Sequence, residues 1–144
     1  MTHEWVTSGY CIAFHTDKGL ILDLDNMKFS KASWIANNLL KKHKLEGYLL
    51  IRSSHKNYHV VFNRYLSWKS ITKILFSQYE CIRYGVFQMQ SGKLALRVSS
   101  KNGKDRPRIL LTVGKTDKMI KDYLEVYEIA EKHEREEGLL LEKA

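Results

Sequence analysis

Hydrophobic and polar positions along this chain fall into short blocks that predict strands first and a helix after them. Residues 10–15 (YCIAFH) and 19–25 (GLILDLD) are apolar and rich in strand-forming residues, and the turn-like sequence TDKG at 16–19 separates them. This pattern predicts an N-terminal β-hairpin. From Ser30, a residue type common at helix N-termini, apolar residues recur at helical spacing as far as Gly47. The spacing predicts a helix of about four turns.

The middle of the chain repeats this alternation. Two short strand patterns lie at 48–53 (YLLIRS) and 58–63 (YHVVFN), and Ser67 is placed to cap a second helix. Three further strand-like runs follow. They occupy residues 82–90, 94–99 and 108–113, and the last two, which flank a polar segment, predict a basic C-terminal hairpin.

A long C-terminal helix is predicted over about 116–137, where apolar residues recur at intervals of three and four and acidic residues occupy the early turns. From residue 19 the element order is strand, helix, strand, strand, helix, strand. That order is typical of an α+β fold with a ferredoxin-like or RRM-like split βαβ sheet. Without repeats or linkers, residues 1–144 are interpreted as one domain with its core at about 19–113.

Composition indicates a compact domain in a reducing compartment. Hydrophobic residues make up 44% of the 144 residues, with a single proline. No apolar run reaches the roughly 18 residues of a membrane span, and the N-terminal sequence lacks the pattern of a signal peptide. Cys11 and Cys81 have no metal-like spacing and are interpreted as reduced, buried thiols. We therefore expect a cytoplasmic protein without membrane contact.

The net charge of +8 is unevenly distributed along the chain. Residues 115–144 hold six Lys/Arg against nine Asp/Glu, which leaves 18 against seven for residues 1–114. Within 91–114, six cations face the single acid Asp105. Clustered cations favour a polyanion-binding surface, because phosphate contacts release condensed counterions, although a solubilising surface has the same composition.

Two acids close the second strand pattern. Asp23 and Asp25 are two positions apart, so on a strand their side chains project from the same face. Paired carboxylates of this kind bind hard divalent cations. The alternative is structural, since Asp25 and Asn26 also suit the start of the loop into the first helix.

A second polar cluster lies in RSSHKNYHVVF, residues 52–62, on the predicted turn between two strands. Hydroxyl, amide, ammonium and imidazole groups together suit a phosphate ligand. Each residue taken singly also has a structural interpretation, as a turn residue, a solvated tip or a half-buried histidine. The cluster comprises Ser53, Ser54, Lys56, Asn57 and His59.

Taken in order, LILDLDN, SSHKNYHVVF and the segment LALRVSSKNGK at 94–104 resemble the archaeo-eukaryotic primase superfamily, including its primase-polymerase branch. The resemblance covers about residues 20–104. It implies that Asp23 and Asp25 bind Mg²⁺ or Mn²⁺ and act with His59 as catalytic residues. It further implies that His59, with Lys56 and Ser53 or Ser54, contacts the triphosphate and that Arg97 and Lys101 approach the nucleotide or template. The polar cluster adds Asn57 as a nucleotide contact, and the basic segment adds Lys93, Lys104, Arg106 and Arg108 as nucleic-acid contacts.

The chain departs from the family pattern at the third acid. The family places it on the strand after the second helix, where residues 82–90 offer only Gln88 and Gln90. Glu80 precedes that segment and Asp105 follows it. Asn57 also stands where the family usually has Ser or Gly. Since a two-metal site without its third carboxylate loses a bridging charge, catalytic activity stays open.

The resemblance therefore supports three functions. The first is a nucleic-acid- and nucleotide-binding protein of DNA replication, of a plasmid or virus, with a reduced metal site. The second is an active metal-dependent nucleotidyltransferase. The third is a structural docking factor of a replication complex, with the C-terminal helix contacting a replication protein or a second copy. The expected ligands are single-stranded DNA or RNA, a primer-template, and a nucleotide.

Overall fold

The computed structural model describes residues 11–89, 91–101 and 104–136, and over these residues the protein is α+β with two antiparallel sheets and four α-helices. Tyr10, at the start of the first predicted strand, and residue 137, at the end of the last predicted helix, lie outside the described residues. The elements in chain order are β1 (Ala13–Thr16), β2 (Gly19–Leu24), α1 (Phe29–Lys42), β3 (Gly47–Ser54), β4 (Asn57–Tyr65), α2 (Trp68–Ser77), a 3-10 turn (Tyr79–Cys81), α3 (Ile82–Met89), β5 (Leu94–Arg97), β6 (Arg108–Gly114) and α4 (Met119–Glu136).

The larger sheet has the strand order β2-β4-β3-β6, and every neighbouring pair is antiparallel. Helix α1 connects β2 to β3 along the chain, and β4 lies between these two strands in the sheet. The smaller sheet pairs β1 with β5. All four leucine and isoleucine residues of β2 are buried, on both faces of the strand, which explains the apolar run at 20–22 before Asp23.

The two faces of the larger sheet carry different helices. Tyr58 on β4 makes an edge contact with Phe29 of α1, with ring centroids 6.2 Å apart, so this face supports α1. Asn63 points to the opposite face, since alternate strand residues project in opposite directions. Its Oδ1 accepts hydrogen bonds from the amides of Lys118 (2.9 Å) and Ile120 (3.2 Å), which caps α4 across the fold.

Both predicted hairpins are wrong. Strand β1 pairs with β5, from Ala13 opposite Arg97 to Thr16 opposite Leu94, and β2 pairs instead with β4. The turn at 16–19 therefore passes the chain between sheets. Strand β6 pairs with β3, so the basic segment is not a C-terminal hairpin, and only an isolated bridge links Lys101 with Lys104. Local alternation indicated strands correctly but carried no information about their partners.

The strand predicted over 82–90 is also wrong, because residues 82–89 form α3. Cys81, Tyr84 and Gly85 are buried, and this i, i+3, i+4 spacing is helical. The Tyr84 hydroxyl donates to the carbonyl of Ala95 at 3.0 Å and ties the helix to β5. The segment was predicted as a strand because its aromatic and β-branched residues have high strand propensity, whereas the spacing of its buried residues is that of a helix.

The predicted helix starts agree with the structure to within a few residues. Ser67 caps α2, since its Oγ accepts from the amide of Ser70 at 3.2 Å. Helix α1 starts at Phe29 with Lys28 at its N-cap position, so Ser30 lies inside the helix and its predicted role as the cap is wrong. The long C-terminal helix is confirmed over Met119–Glu136. No helix in the described residues combines the length and apolar character that crossing a bilayer requires.

Candidate functional site

The C-terminal ends of strands β2 and β3, together with strand β5, line one cleft of about 500 Å³, here called the central cleft. Its walls come from segments that are far apart in sequence, joined by the pairing of β2 with β4 and of β4 with β3. Most of the site residues predicted from the sequence line it. The lining residues are Cys11, Asp23, Asp25, Ser53, Ser54, Asn57, His59, Ala95, Leu96, Arg97, Lys101 and Lys104.

Asp23 and Asp25 form an interacting carboxyl pair at one wall of the central cleft. Burial raises the pKa of Asp23 to about 7, and repulsion from Asp25 and a hydrogen bond shared with it act in the same direction. Lys104 and Arg97 lower that pKa and offset part of the effect. The pair therefore holds a proton near neutral pH that a bound cation would displace.

His59 lies directly opposite Asp23 in the β2–β4 register, which places both side chains on the same face of the sheet. The Nε2 of His59 is 3.8 Å from Oδ1 of Asp23. Burial lowers the pKa of His59 to about 3, with a further contribution from the charges of Arg97 and Lys104. The imidazole is consequently neutral at physiological pH, so its contact with Asp23 is not an ion pair.

Two loops are joined beside the carboxyl pair. The side chain of Asn57 donates to Oγ of Ser54 at 2.7 Å, and its Oδ1 accepts from the amide of Asn26 at 3.0 Å. The amide of Met27 also donates to the carbonyl of Lys56 at 3.0 Å. These bonds fix the turn after β3 against the loop after β2, so hydroxyl and amide groups lie next to the acids.

Arg97 connects the walls of the central cleft through backbone carbonyls. Its Nη2 donates to the carbonyl of Ser53 at 2.8 Å, and its Nη1 donates to the carbonyls of Asp105 (3.0 Å) and Ser99. The guanidinium thus brings β5 and the basic segment against the end of β3. Lys101 and Lys104 are exposed at the rim, where an isolated bridge holds them opposite each other.

Four predicted contact residues lie outside the central cleft. Lys56 is exposed on the turn between β3 and β4, and Lys93 lines a different cavity beside the β1–β2 turn. The guanidinium of Arg106 packs 3.8 Å from the ring centre of Tyr127 and donates to a carboxylate of α4 at 3.0 Å, so it joins the basic segment to that helix. Arg108 is exposed on β6.

A buried carboxylate on α4 was missed in the sequence. Glu134 accepts hydrogen bonds from the amide and the hydroxyl of Ser100, the latter at 3.0 Å, and so orders the chain between Arg97 and the rim lysines. Glu134 follows Ala130 by one helical turn on the buried stripe of α4. An acid at a position where the periodicity requires an apolar residue was the available signal.

Glu80 lines a second cavity, of about 520 Å³, that shares Asp23 and Asp25 with the central cleft. Its carboxylate forms an ion pair with Lys31 at 3.1 Å. Across the described residues, no three acids, histidines or cysteines are grouped closely enough to hold a metal ion by themselves. The arrangement thus provides two carboxylates together and one acid nearby.

Comparison with known proteins leaves this geometry as the basis for assigning a function. The chain has no significant match among protein-family models, curated proteins or solved structures.

Proposed function

We propose that the central cleft binds the phosphates of a nucleotide or of a nucleic-acid strand end, as part of a primase-polymerase-like protein that acts in replication of a plasmid or virus. The observation that carries the proposal is one cleft lined by the paired acids, a neutral histidine, hydroxyl and amide groups, and the cations Arg97, Lys101 and Lys104. Cations and hydrogen-bond donors suit phosphate oxygens, and carboxylates suit the metal that accompanies a nucleotide.

The strand order supports an RRM-like core for this protein. Strand β4 lies between β2 and β3, and helix α1 connects these two strands that flank β4, as the split βαβ arrangement requires. The fourth strand of such a core would lie beside β2. Here β5 pairs with β1 and approaches β2 from a separate sheet, so the proposed core is an open variant.

A divalent cation, Mg²⁺ or Mn²⁺, fits the carboxyl pair. Asp23 and Asp25 supply hard oxygen ligands. Burial raises the pKa of Asp23 and repulsion from Asp25 raises it further, and a cation would relieve that repulsion. Such ions commonly take only one or two protein carboxylates and complete their coordination with water and substrate phosphates. When bound, the cation would neutralise phosphate charge, while Lys101 and Lys104 at the rim would bind the same ligand from the other side.

An active nucleotidyltransferase is the second candidate, and the position of Glu80 favours it. Glu80 is absent from the central cleft but shares a cavity with both aspartates. Release of its ion pair with Lys31 would free a third carboxylate beside the pair. Extension of a labelled primer-template with Mn²⁺, lost in both Asp23→Asn and Glu80→Gln, would support this candidate. Extension that persists in Asp23→Asn would contradict it.

Binding measurements test the proposal itself. Fluorescence anisotropy with a labelled single-stranded oligonucleotide is expected to show at least about tenfold weaker binding for Lys101→Gln/Lys104→Gln, with a salt slope smaller by about 1.5. The matched control is Lys121→Gln/Lys132→Gln, two exposed lysines of α4. Equal affinities for the rim variant and the control would overturn the assignment of the cleft.

A further inference from the structure

Helices α1 and α2 present a surface on which positive charge is concentrated. Helix α1 (FSKASWIANNLLKK) and helix α2 (WKSITKILFS) are fully described and contain five lysines without a single Asp or Glu. Lys44 in the following loop and Arg64 at the end of β4 add to the same surface. We call this surface the basic helical face; its exposed cations are Lys41, Lys42, Lys44, Arg64, Lys69 and Lys73.

A groove of about 470 Å³ lies at the centre of the basic helical face, between the end of α1 and the side of α2. Lys42, Arg64 and Lys73 line it together with His43 and serine hydroxyls, and Leu66 and Ile74 contribute an apolar part. The described lining contains no carboxylate. A concave surface that carries cations and hydroxyls without acids suits a ligand that is itself polyanionic.

The geometry holds Arg64 at the wall of this groove. Its Nη1 donates to the carbonyls of His43 (3.0 Å) and Lys44 (3.3 Å), which are orphan carbonyls at the end of α1. The guanidinium is therefore fixed before any ligand binds. Lys42 and Lys73 also line the groove and are exposed, so it combines one anchored guanidinium with two exposed ammonium groups.

Helix electrostatics explain only part of this charge. Lys41 and Lys42 lie in the last turn of α1, where a cation interacts favourably with the helix dipole. Lys69 lies in the first turn of α2, where the dipole favours an acid, and Lys73 lies in the middle of that helix. Lys44 has a φ of 50°, a backbone conformation in which glycine costs least. At Lys44 and Lys69, folding alone would therefore favour other residues.

From these observations we infer that the basic helical face is a second nucleic-acid surface, which binds the phosphodiester backbone in the groove between α1 and α2. It is separate from the central cleft. His59 and Asp23 lie on the sheet face that α4 covers, whereas Arg64, five positions after His59 on β4, points to the face that supports α1. The inference rests on the charge of this face and does not require nucleotide binding in the cleft.

The test uses Lys42→Gln/Lys73→Gln, which removes both exposed ammonium groups of the groove and leaves the helix-capping Arg64 in place. The control is again Lys121→Gln/Lys132→Gln, and circular dichroism verifies folding. Anisotropy is measured with labelled single-stranded and duplex oligonucleotides from about 50 to 300 mM salt. We expect about tenfold weaker binding to at least one of the two forms and a salt slope smaller by about 1.5. The oligonucleotide whose binding is weakened, single-stranded or duplex, identifies the form of nucleic acid that the groove binds.

Two outcomes would overturn the inference. The groove variant could bind both oligonucleotides with the affinity and salt slope of the control. Alternatively, labelled polyglutamate of equal charge could bind the wild-type protein more tightly than either oligonucleotide and lose that affinity in the groove variant, which would identify an acidic protein as the partner. Parallel measurements on Lys101→Gln/Lys104→Gln separate the two proposals. If only the Lys101→Gln/Lys104→Gln variant loses oligonucleotide affinity, the cleft proposal is supported and the groove inference is rejected. If only the groove variant loses affinity, the groove inference is supported and the cleft proposal is rejected.

Discussion

The central cleft and the basic helical face both carry several cations, but they are built differently. In the cleft, the oppositely charged Asp23 and Arg97 are partly buried and hydrogen-bonded, and burial raises the pKa of Asp23 and lowers that of His59. On the helical face, the charges have one sign and are exposed. The buried groups of the cleft therefore affect folding as well as binding, whereas Lys42 and Lys73 on the helical face are expected to affect binding alone.

The largest expected effect concerns His59 and acid stability. Its pKa is about 3 in the folded protein and near 6.5 when unfolded, so below pH 6.5 the unfolded chain takes up a proton that the folded protein excludes. This residue should lower the free energy of unfolding by about 3 kcal/mol between pH 6.5 and 4. Urea unfolding of the wild type and of His59→Gln at both pH values measures the difference, which should favour the variant increasingly at pH 4.

His55→Gln, at the exposed turn between β3 and β4, is the matched control. A gap between wild type and His59→Gln that stays constant from pH 6.5 to 4 would show that His59 is not held neutral by burial, and the contrast with the helical face would weaken.

Asp23 should give a smaller effect with the opposite pH dependence. Its pKa is about 7 in the folded protein against 3.8 when unfolded, so the folded protein binds the proton more tightly. The stability this contributes is present at low pH and is lost as the pH rises through about 7. Because the side chain is 36% exposed, we expect Asp23→Asn to gain only about 1 kcal/mol relative to wild type between pH 5 and 8.

Thermal unfolding at the two pH values measures this gain, with Asp17→Asn on the exposed β1–β2 turn as the control. If the two aspartate variants respond equally to pH, the paired acids do not interact as the cleft geometry requires. Addition of Mn²⁺ at pH 8 should also stabilise the wild type more than Asp23→Asn, since a ligand stabilises the folded state that binds it.

The smallest expected effect is on the helical face. Removing two exposed cations in Lys42→Gln/Lys73→Gln should change the free energy of unfolding by no more than about 0.5 kcal/mol, with a slight gain at low salt as repulsion is relieved. Denaturant unfolding at about 20 and 300 mM salt provides the measurement. A loss above about 1 kcal/mol would mean that these lysines stabilise the fold, and the contrast between the two regions would fail.

Sequence patterns predicted the elements better than their partners. The Ser67 cap and the start of α1 followed from local residue preferences and periodicity, which act within one helical turn. The hairpins were wrong because pairing depends on contacts between distant segments. The same limitation affected the third acid, which was sought on a strand over 82–90 where the chain forms α3.

The candidate site divides in the same way. The side-by-side acids and the polar turn were recognisable because residue type and short spacing determine their chemistry, and the structure brings Asp23, Asp25 and His59 into one cleft. Arg106 was predicted as a nucleic-acid contact from charge alone, and the structure engages it with Tyr127 of α4. The buried position of Glu134 was not predicted from the sequence, because its partner Ser100 is distant along the chain.

By itself, the sequence determined an α+β chain with a basic body, an acidic last helix and the residues of a phosphate- or metal-binding site. Tertiary structure decided which strands pair, that the basic segment divides between cleft and α4, and that Lys42 of α1 and Lys73 of α2 line one groove with Arg64. The physical reason is range. Residue preferences, capping and periodicity operate within a few residues, whereas strand pairing, burial and pKa shifts depend on groups that only the folded chain brings together.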